Sequence, residues 1–320
     1  MKQYKYLHNI FVFLLILTFI NIVKFIISSY KFMLKPKNLT KIYGKKSWIV
    51  ITGASSGQGK QYAIQFAQKG FNILLIGSKK CFNVEKIINT KFPNVQTKVI
   101  LKDFSLANEE NFFHSVKNFI VDKDVSGFVS NVAYRYGINQ YHLINDDKIN
   151  KIIITKGITQ SKLIKLALET FIERKKKSFI IVISALSLNK CGIYNDNVNT
   201  LPFVSIYEGI NAFAFCHANS IFKEINLNKK YNHIDFLNIT PAAVITSNTK
   251  PFLKNAILSV NDDYFVKSSI KLLNNFNGTT CGCIEHLLAS FLPTFFPIKI
   301  FEDMILFTIG KKISQYYKNK

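Results

Sequence analysis

The glycine-rich stretch at residues 48–60 constrains the fold of this chain more than any other feature. Residues 48–51 form a short apolar run rich in β-branched side chains, which is typical of a strand buried on both faces. Gly53, Gly57 and Gly59 follow at once, and a helical pattern of apolar residues begins after them. A strand, a glycine turn and a helix in this order bring a helix N-terminus to a phosphate group. The stretch therefore predicts an α/β fold that binds a dinucleotide, with an ordinary glycine-rich turn as the alternative.

Beyond this stretch, apolar runs alternate with segments of helical periodicity. Further strands are predicted at residues 71–76, 99–101, 125–129, 179–183 and 234–237, and helices at residues 84–88, 112–120, 151–173 and 206–225. Such alternation is typical of a doubly wound parallel sheet with helices on both faces, which is a Rossmann-type fold.

Composition limits the remaining possibilities. At 320 residues the chain has room for one sizeable α/β domain with extra segments. It carries 42 basic and 19 acidic residues, and the excess is lysine spread along the whole chain rather than gathered in a nucleic-acid motif. We therefore interpret the charge first as a compositional bias and second as attraction to acidic lipid headgroups or CoA-type phosphates, and we expect no nucleic-acid partner. The five cysteines and six histidines lack metal-ligand spacing, so we expect reduced thiols, structural histidines and no metal site.

The N-terminal segment predicts a membrane anchor. Residues 10–27 are largely apolar, and a helix of this length just spans a bilayer. A cleaved signal peptide is the alternative, although the apolar core is long for one and no small-residue cleavage site is evident. Lysines crowd residues 31–46, against only Lys2 and Lys5 before the apolar core, so the positive-inside rule predicts a main domain in the cytosol.

The end of the chain is apolar but interrupted by prolines and charges. It fits a membrane-associated tail, and a helical pair packed on the sheet is the alternative. The predicted division is an anchor at residues 1–30, a basic linker at 31–46, a Rossmann-type domain at 47–283 and an apolar segment with a basic end at 284–320.

Several motifs resemble those of one enzyme family. The loop pattern Thr-Gly-x-x-x-Gly-x-Gly resembles that of the short-chain dehydrogenase/reductases. Residues 69–73, 158–160, 206–207 and 265–268 resemble the membrane-bound 3-ketoacyl-CoA reductase and 17β-hydroxysteroid dehydrogenase branch. The resemblance implies that NADPH reduces a ketone on an acyl-CoA, steroid or other lipid at the endoplasmic reticulum membrane. It also implies a homodimer or other enzymes of fatty-acid elongation as partners.

The resemblance extends to the nucleotide-binding residues. Asp103 matches an aspartate that contacts the adenine, and Thr246 would lie near the nicotinamide. Ser78 stands where an arginine is expected, so Lys79 and Lys80 would supply the charge for a 2′-phosphate, although lysine lacks the forked geometry of arginine. A solvated turn is the alternative for these lysines, and we expect NADP(H) rather than NAD(H). The expected cofactor-binding residues are Thr52, Gly53, Ser55, Ser56, Gly57, Gly59, Ser78, Lys79, Asp103, Asn131, Pro241, Val244 and Thr246.

The catalytic set of the family is only partly present. The family uses Asn, Ser, Tyr and Lys, and here Tyr207 matches the tyrosine while Asn211 stands at the lysine position. Ala185 replaces the serine and Ser187 is a neighbouring hydroxyl. Lys151 aligns with the asparagine, and a shift of one residue would place Asn150 there instead. A phenol ionises at about pH 10 unless a cation is close. Either the set has decayed, or Lys151 and Asn211 have exchanged roles and keep one cation and one amide near the phenol.

Two functions follow from these alternatives. The first is a reductase with a degenerate catalytic set. The second is a nucleotide-binding pseudoenzyme that acts as a scaffold in a membrane complex of lipid synthesis, and both would keep the glycine loop.

Overall fold

The computed structural model describes residues 2–134, 137, 139–185, 203–247, 249–250 and 258–295. The helices are α1 (Lys2–Met33), α2 (Leu39–Tyr43), α3 (Gly57–Gln68), α4 (Cys81–Lys91), α5 (His114–Val121), α6 (Asp146–Ile153), α7 (Thr159–Arg174), α8 (Ser205–Leu227), α9 (Asp262–Lys271) and α10 (Ile284–Phe295). The strands are β1 (Trp48–Thr52), β2 (Asn72–Gly77), β3 (Thr97–Leu101), β4 (Val125–Ser130), β5 (Ser178–Ile183), β6 (Ile234–Ile239), β7 (Val244–Ile245), β8 (Val260–Asn261) and β9 (Gly278–Thr280). Single 3-10 turns lie at Phe104–Leu106, Tyr141–Leu143 and Lys229–Tyr231.

Among the described residues, seven strands form one parallel sheet in the order β3-β2-β1-β4-β5-β6-β9. Every residue of β1, β2, β4, β5 and β6 is buried, because helices cover both faces of the sheet. The predicted doubly wound Rossmann-type sheet is therefore confirmed. The strand order reverses between β1 and β4, which opens a crevice at their carboxyl ends. The sequence does not predict β9 or the short pair β7-β8, because runs of two or three residues give no periodic signal.

The side chains of β1 show how the sheet divides the core into two layers. Ile49 and Ile51 pack into one apolar cluster, together with Phe66 of α3 and Phe179 of β5, whose rings stack 5.4 Å apart. Val50 packs into a second cluster on the opposite face. Because successive side chains of a strand point to opposite faces, one uninterrupted apolar run supplies both layers.

The helix predicted at residues 151–173 is not continuous. A π-helical turn at Ile154–Ile158 separates α6 from α7. Hydrogen bonds in such a turn span one residue more than those of an α-helix, so the faces of the helix rotate at this point. Residues before the turn therefore lie on other faces than a continuous helix implies.

A buried polar network joins the segment before β1 to the amino end of the sheet. The Tyr43 hydroxyl donates to Asp235 Oδ2 at 2.6 Å, and Lys177 Nζ donates to the other carboxylate oxygen at 2.7 Å. Arg174 Nη2 donates to the Tyr43 carbonyl oxygen at 2.7 Å. Burial and the Asp235 charge raise the pKa of Tyr43, so the phenol remains a donor. Residues 39–43, predicted as part of a linker, thus pack on the domain as helix α2.

Helix α1 is long and apolar enough to cross a membrane, by length and composition. The stretch Phe11–Met33 has a mean hydropathy of 2.5, and the part of the chain that the structure describes does not bury it. The C-terminal end of α1 nevertheless packs on the domain. Lys271 Nζ donates to the Phe32 carbonyl oxygen at 2.7 Å, and the rings of Phe25 and Phe291 meet edge to face at 5.4 Å. The orientation of this helix relative to a membrane stays a prediction.

The C-terminal segment predicted at residues 284–320 is described as far as residue 295. Its first part forms helix α10, which packs against α1 and buries His286 and Leu287. The two alternatives for this segment, a membrane-associated tail and a helical pair packed on the sheet, both stay predictions. Residues 296–320, which carry the rest of the predicted tail, lie outside the described residues.

We expect Tyr43→Phe to destabilise the fold, because it removes a donor from the buried Asp235 carboxylate. A buried group that loses its hydrogen bond costs about 1–3 kcal/mol, so thermal unfolding in detergent should occur at a lower temperature. Tyr264→Phe is the matched control, since it removes a hydroxyl that donates to Glu285 at an exposed site. Equal melting temperatures for the two variants would show that the network does not stabilise the protein.

Candidate active site

The loop between β1 and α3 is packed so closely that side chains do not fit at its key positions. Gly53 and Gly57 have φ angles of +65° and +52°, which residues with a Cβ rarely adopt. A Cβ at Gly59 would lie 2.2 Å from the Gly53 carbonyl oxygen and 2.6 Å from Asn131 Nδ2. The first turn of α3 therefore rests directly on the loop, and its N-terminus is brought to the crevice between β1 and β4.

Hydrogen bonds between the ends of β1 and β4 define this crevice. Thr52 Oγ1 accepts from the Asn131 backbone N–H at 3.1 Å and donates to the Val129 carbonyl oxygen at 3.2 Å. Asn131 Nδ2 donates in turn to the Thr52 carbonyl oxygen at 3.2 Å. Ser55 and Ser56 lie in the glycine loop just before α3, and Ser56 makes no side-chain capping bond to the helix. The structure thus brings the residues predicted for the phosphate loop together with Asn131.

Two further predicted residues lie at the ends of the neighbouring strands β2 and β3. Ser78 and Lys79 occupy the exposed turn after β2, followed by Lys80. Asp103 follows β3, and its Oδ1 accepts from the Ser105 backbone N–H at 3.0 Å and from the Ser105 hydroxyl at 2.8 Å. Both turns lie at the carboxyl edge of the sheet. The exposed lysines fit a phosphate site and a solvated turn alike.

The segment after β6 reaches the start of α3 from the other side. Thr246 Cγ2 lies 3.2 Å from the position that a Cβ would take at Gly57. The Thr246 backbone N–H donates to Thr249 Oγ1 at 2.7 Å, which closes a tight turn. Pro241 and Val244 are buried in the same segment. The structure therefore places the predicted nicotinamide segment against the glycine loop.

His286 of α10 holds this segment in place. Its Nδ1 accepts from the Ala242 backbone N–H at 3.2 Å, and its Nε2 donates to the Ala243 carbonyl oxygen at 3.3 Å. Both bonds together require a neutral ring with its proton on Nε2, and burial lowers the pKa of His286. Sequence reasoning treats this histidine as structural and misses the contact, because 44 residues separate the partners along the chain.

The predicted catalytic residues of α8 lie close together. Tyr207 is half-buried in the first turn of the helix. Asn211 is buried one turn later, and its Nδ2 donates to the Tyr207 carbonyl oxygen at 2.8 Å. That bond keeps the amide on the backbone of its own helix, and a neutral amide supplies no positive charge to the phenol. Ala185 follows β5 without a hydroxyl, and Ser187 lies outside the described residues.

Lys151 does not lie where the exchange hypothesis needs it. Its Nζ pairs with Asp147 Oδ2 at 2.7 Å on the exposed side of α6, and this bond raises the pKa of Lys151. The hypothesis requires the ammonium close to Tyr207, so the structure does not support it.

A different lysine, Lys156, is buried in that turn, and the sequence analysis misses it. Lys156 is 4% exposed, and its Nζ donates to the Ile183 carbonyl oxygen at the end of β5. Burial lowers the pKa of Lys156 to about 8. The adjacent Gly157 packs on α8, where a Cβ would lie 2.9 Å from Ile210 Cδ1. A lysine next to a glycine within an apolar helical face is the signal that could have identified it.

We expect Gly59→Ala to weaken nucleotide binding, because the new Cβ meets the Gly53 carbonyl oxygen at 2.2 Å and the loop must move. The affinity for NADPH, measured by calorimetry, should fall at least about tenfold, or 1.4 kcal/mol. Gly209→Ala is the matched control, since a Cβ there meets nothing within 4 Å. Equal affinities of the two variants would show that the loop does not hold the nucleotide.

We expect His286 to make the stability of the protein sensitive to acid. Its ordinary pKa is 6.5 and its folded pKa is lower, so the unfolded chain takes up the proton first. The stabilising contribution of the neutral ring is therefore complete above pH 6.5 and decreases as the pH falls toward the lowered folded value. The loss of unfolding free energy in His286→Gln should be larger at about pH 7.5 than at about pH 5.

Denaturant unfolding of the wild type, His286→Gln and the exposed control His142→Gln at both pH values tests this expectation. His217, whose pKa burial also lowers, is present in all three proteins and cancels in the comparison. A loss of stability in His286→Gln that is the same at both pH values would contradict it.

Comparisons with known proteins agree with this geometry. The model of the short chain dehydrogenase family matches residues 47–194. The very-long-chain 3-oxoacyl-CoA reductase of Coccidioides immitis is 27% identical over 250 residues, which cover 77% of this chain and 67% of that protein. The 17-beta-hydroxysteroid dehydrogenase type 3 of Homo sapiens is 27% identical over 261 residues, which cover 80% of this chain and 77% of that protein.

Solved structures share the fold. A 7beta-hydroxysteroid dehydrogenase superposes with a TM-score of 0.62 at 18% identity, covering 76% of this chain and 89% of that one. A short-chain dehydrogenase from Sphingobium yanoikuyae, solved with NADPH, has a TM-score of 0.58 at 17% identity, covering 73% of this chain and 87% of that one. The parallel sheet and the glycine loop agree with the match of residues 47–194 to the short chain dehydrogenase family, and the chain is related in sequence to the very-long-chain 3-oxoacyl-CoA reductases and to a 17-beta-hydroxysteroid dehydrogenase.

Proposed function

We propose that this chain uses NADPH to reduce a ketone on a lipid-type substrate, an acyl-CoA or a steroid, to the alcohol. The names of the related reductase and dehydrogenase supply these two substrate classes. The observation that carries the proposal is the crevice, where the glycine loop, the end of β4 and the Thr246 segment converge. All three parts would be needed to hold an extended dinucleotide beside a substrate.

The residues of the crevice fit such a dinucleotide. Gly53, Gly57 and Gly59 keep side chains out of the turn, and the N-terminus of α3 favours the negative charge of a pyrophosphate. By similarity to the family, Asp103 would contact the adenine and Thr246 would border the nicotinamide. The bound nucleotide would supply the hydride, and the chain would supply orientation and the proton.

The choice of NADP(H) over NAD(H) rests on charge. Lys79 and Lys80 lie in the exposed turn after β2, which neighbours the glycine loop through the pairing of β1 with β2. Two ammonium groups in this turn would attract the additional phosphate of NADP(H), although without the bidentate geometry of an arginine.

Tyr207 is the proton donor in this proposal. As the alcohol forms, the ketone oxygen would take the phenolic proton, a contribution of about 10²–10⁴-fold for a positioned acid. Ala185 offers no hydroxyl to the same oxygen, and loss of such a donor costs about 3 kcal/mol in comparable sites. We therefore expect a slower enzyme than its relatives with complete catalytic sets.

We also propose that the protein is held in the endoplasmic reticulum membrane by α1, with the Rossmann-type domain in the cytosol. The apolar stretch Phe11–Met33 and the lysines of residues 31–46 support this placement. A second copy of the chain or other elongation enzymes would be its partners there.

We expect full-length protein in detergent micelles to consume NADPH with a 3-ketoacyl-CoA or a ketosteroid and to release the alcohol, identified by mass spectrometry. Tyr207→Phe should lower turnover at least about 100-fold without changing NADPH affinity, because the phenol gives the proton and does not bind the phosphates. Tyr264→Phe, at the exposed site beside Glu285, should leave turnover unchanged.

One result would favour the alternative function. The bond from Asn211 to the Tyr207 carbonyl oxygen and the missing hydroxyl at Ala185 are also what a pseudoenzyme would show. NADPH binding without turnover of either substrate class would contradict the reductase proposal. The chain would then be a nucleotide-binding scaffold in a membrane complex.

A further inference from the structure

Lys156 is a buried charged residue that the proposed reaction does not yet use. The π-helical turn buries its side chain, and its Nζ donates to the Ile183 carbonyl oxygen. In the part of the chain that the structure describes, no carboxylate pairs with this ammonium. A buried charge without an ion partner is costly to fold. The buried ammonium of Lys156 therefore does not stabilise the fold, and its presence indicates a functional role.

The packing of the turn brings this lysine to the catalytic end of α8. Gly157 lies against Ile210, and Gln160 Nε2 donates to the Ala214 carbonyl oxygen at 2.9 Å. From Gly157 to Gln160 the contacted residue moves from Ile210 to Ala214, so the two helices run in the same direction where they pack. Lys156 therefore lies level with the first two turns of α8, which carry the proposed proton donor.

The hydrogen-bond acceptor of Lys156 shows which strand of the sheet the ammonium lies against. Ile183 is the last residue of β5, and Ala185, which stands at the family's serine position, follows shortly after it. The ammonium thus lies at the carboxyl end of β5, in the π-helical turn that packs on α8. This is the corner in which a substrate ketone and the phenol of Tyr207 would meet.

We propose that Lys156 is the positioning cation of this site and stabilises the negative charge that Tyr207 acquires, a role for which position 211 offers only an asparagine. The inference rests on the proposed reductase function. The charge comes from the helix that precedes β5 rather than from the helix of the tyrosine.

The proposed step balances as follows. The ketone carbon takes a hydride from the reduced nicotinamide, which is oxidised, and the ketone oxygen takes the proton of Tyr207. The phenolic O–H bond breaks, the alcohol O–H bond forms, and a phenolate remains. The Lys156 ammonium stabilises that phenolate until a proton from water restores the phenol.

The charge of Lys156 gives the step a pH dependence. Burial lowers the pKa of Lys156 to about 8, so the ammonium is present at neutral pH and is lost above that value. Activity should therefore fall on the alkaline side. Titratable groups on the elements packed against the turn include Tyr207, Glu208 and His217 of α8, Lys162 of α7, Asp147 and Lys151 of α6, and Asp103 before the 3-10 turn.

A first experiment measures the phenol itself and needs no turnover. The ionisation of Tyr207 in the full-length protein is followed by NMR of ¹³C-labelled tyrosine, with Tyr207→Phe to assign its signal. Lys156→Met should raise the ionisation midpoint by about one pH unit or more, because a nearby cation favours the phenolate. Lys165→Met, which removes an exposed lysine of α7, is the matched control and should not shift it. An unchanged midpoint in Lys156→Met would overturn the inference.

A second experiment uses turnover and protects against a variant that does not fold. Lys156→Met should lower kcat at least about tenfold with NADPH affinity unchanged. Lys156→Arg keeps a charge up to a pH of about 12, so it should retain activity and lose the decline above pH 8. A decline near the same pH in Lys156→Arg would overturn the inference. A shifted phenol midpoint without turnover in the wild type would support the electrostatic coupling between Lys156 and Tyr207 and contradict the reductase proposal.

Discussion

The hydrogen bonds of Thr52 are the constraint on which the rest of the site depends. Its hydroxyl is fully buried, accepts from the backbone of Asn131 and Val132, and donates to the Val129 carbonyl oxygen. One side chain thus fixes the spacing of β1 and β4 at their carboxyl ends, where the strand order of the sheet reverses. Gly59 packs onto the same place without room for a Cβ. The width of the crevice is therefore set by groups that cannot move independently of one another.

The two ends of the sheet treat charge differently. At the amino end, Asp235 is bonded by Tyr43 and Lys177, and Arg174 pairs with Asp124 at 2.7 Å. There each buried charge has an opposite charge or a donor. At the carboxyl end, the buried Lys156 has a backbone carbonyl as its partner. Departures of this kind from full charge pairing are expected where a protein carries its function rather than its stability.

The sequence predicts the sheet well because a parallel strand is buried on both faces. Its apolar run, such as residues 48–51, needs no knowledge of its neighbours to be recognised. The glycine loop is predictable for a similar reason. Local backbone geometry requires a glycine at position 53, and close packing requires one at position 59. Features of this kind are determined within a few residues of chain.

The features that sequence reasoning does not predict depend on distant partners or on a change of helical phase. His286 forms hydrogen bonds with Ala242 and Ala243, which are distant along the chain, and the sequence around His286 does not predict that contact. Lys151 and Lys156 cannot be told apart by apolar periodicity, because the π-helical turn between α6 and α7 changes which of them faces inward. The residue types expected for catalysis were recognisable, but the geometry that selects among neighbouring lysines was not.

The contacts at the C-terminal end of α1 fix the orientation of this helix relative to the domain. Lys31 Nζ lies 4.1 Å from the centre of the Phe276 ring, and Asn275 Nδ2 donates to the Lys35 carbonyl oxygen at 3.0 Å. Because of these contacts, the helix is connected to the domain rigidly and not through a flexible linker. If α1 lies in a bilayer, the mouth of the crevice is held at one height and one tilt above the lipid surface. An amphiphilic molecule that diffuses within that surface then meets the protein in two dimensions and in a restricted set of orientations.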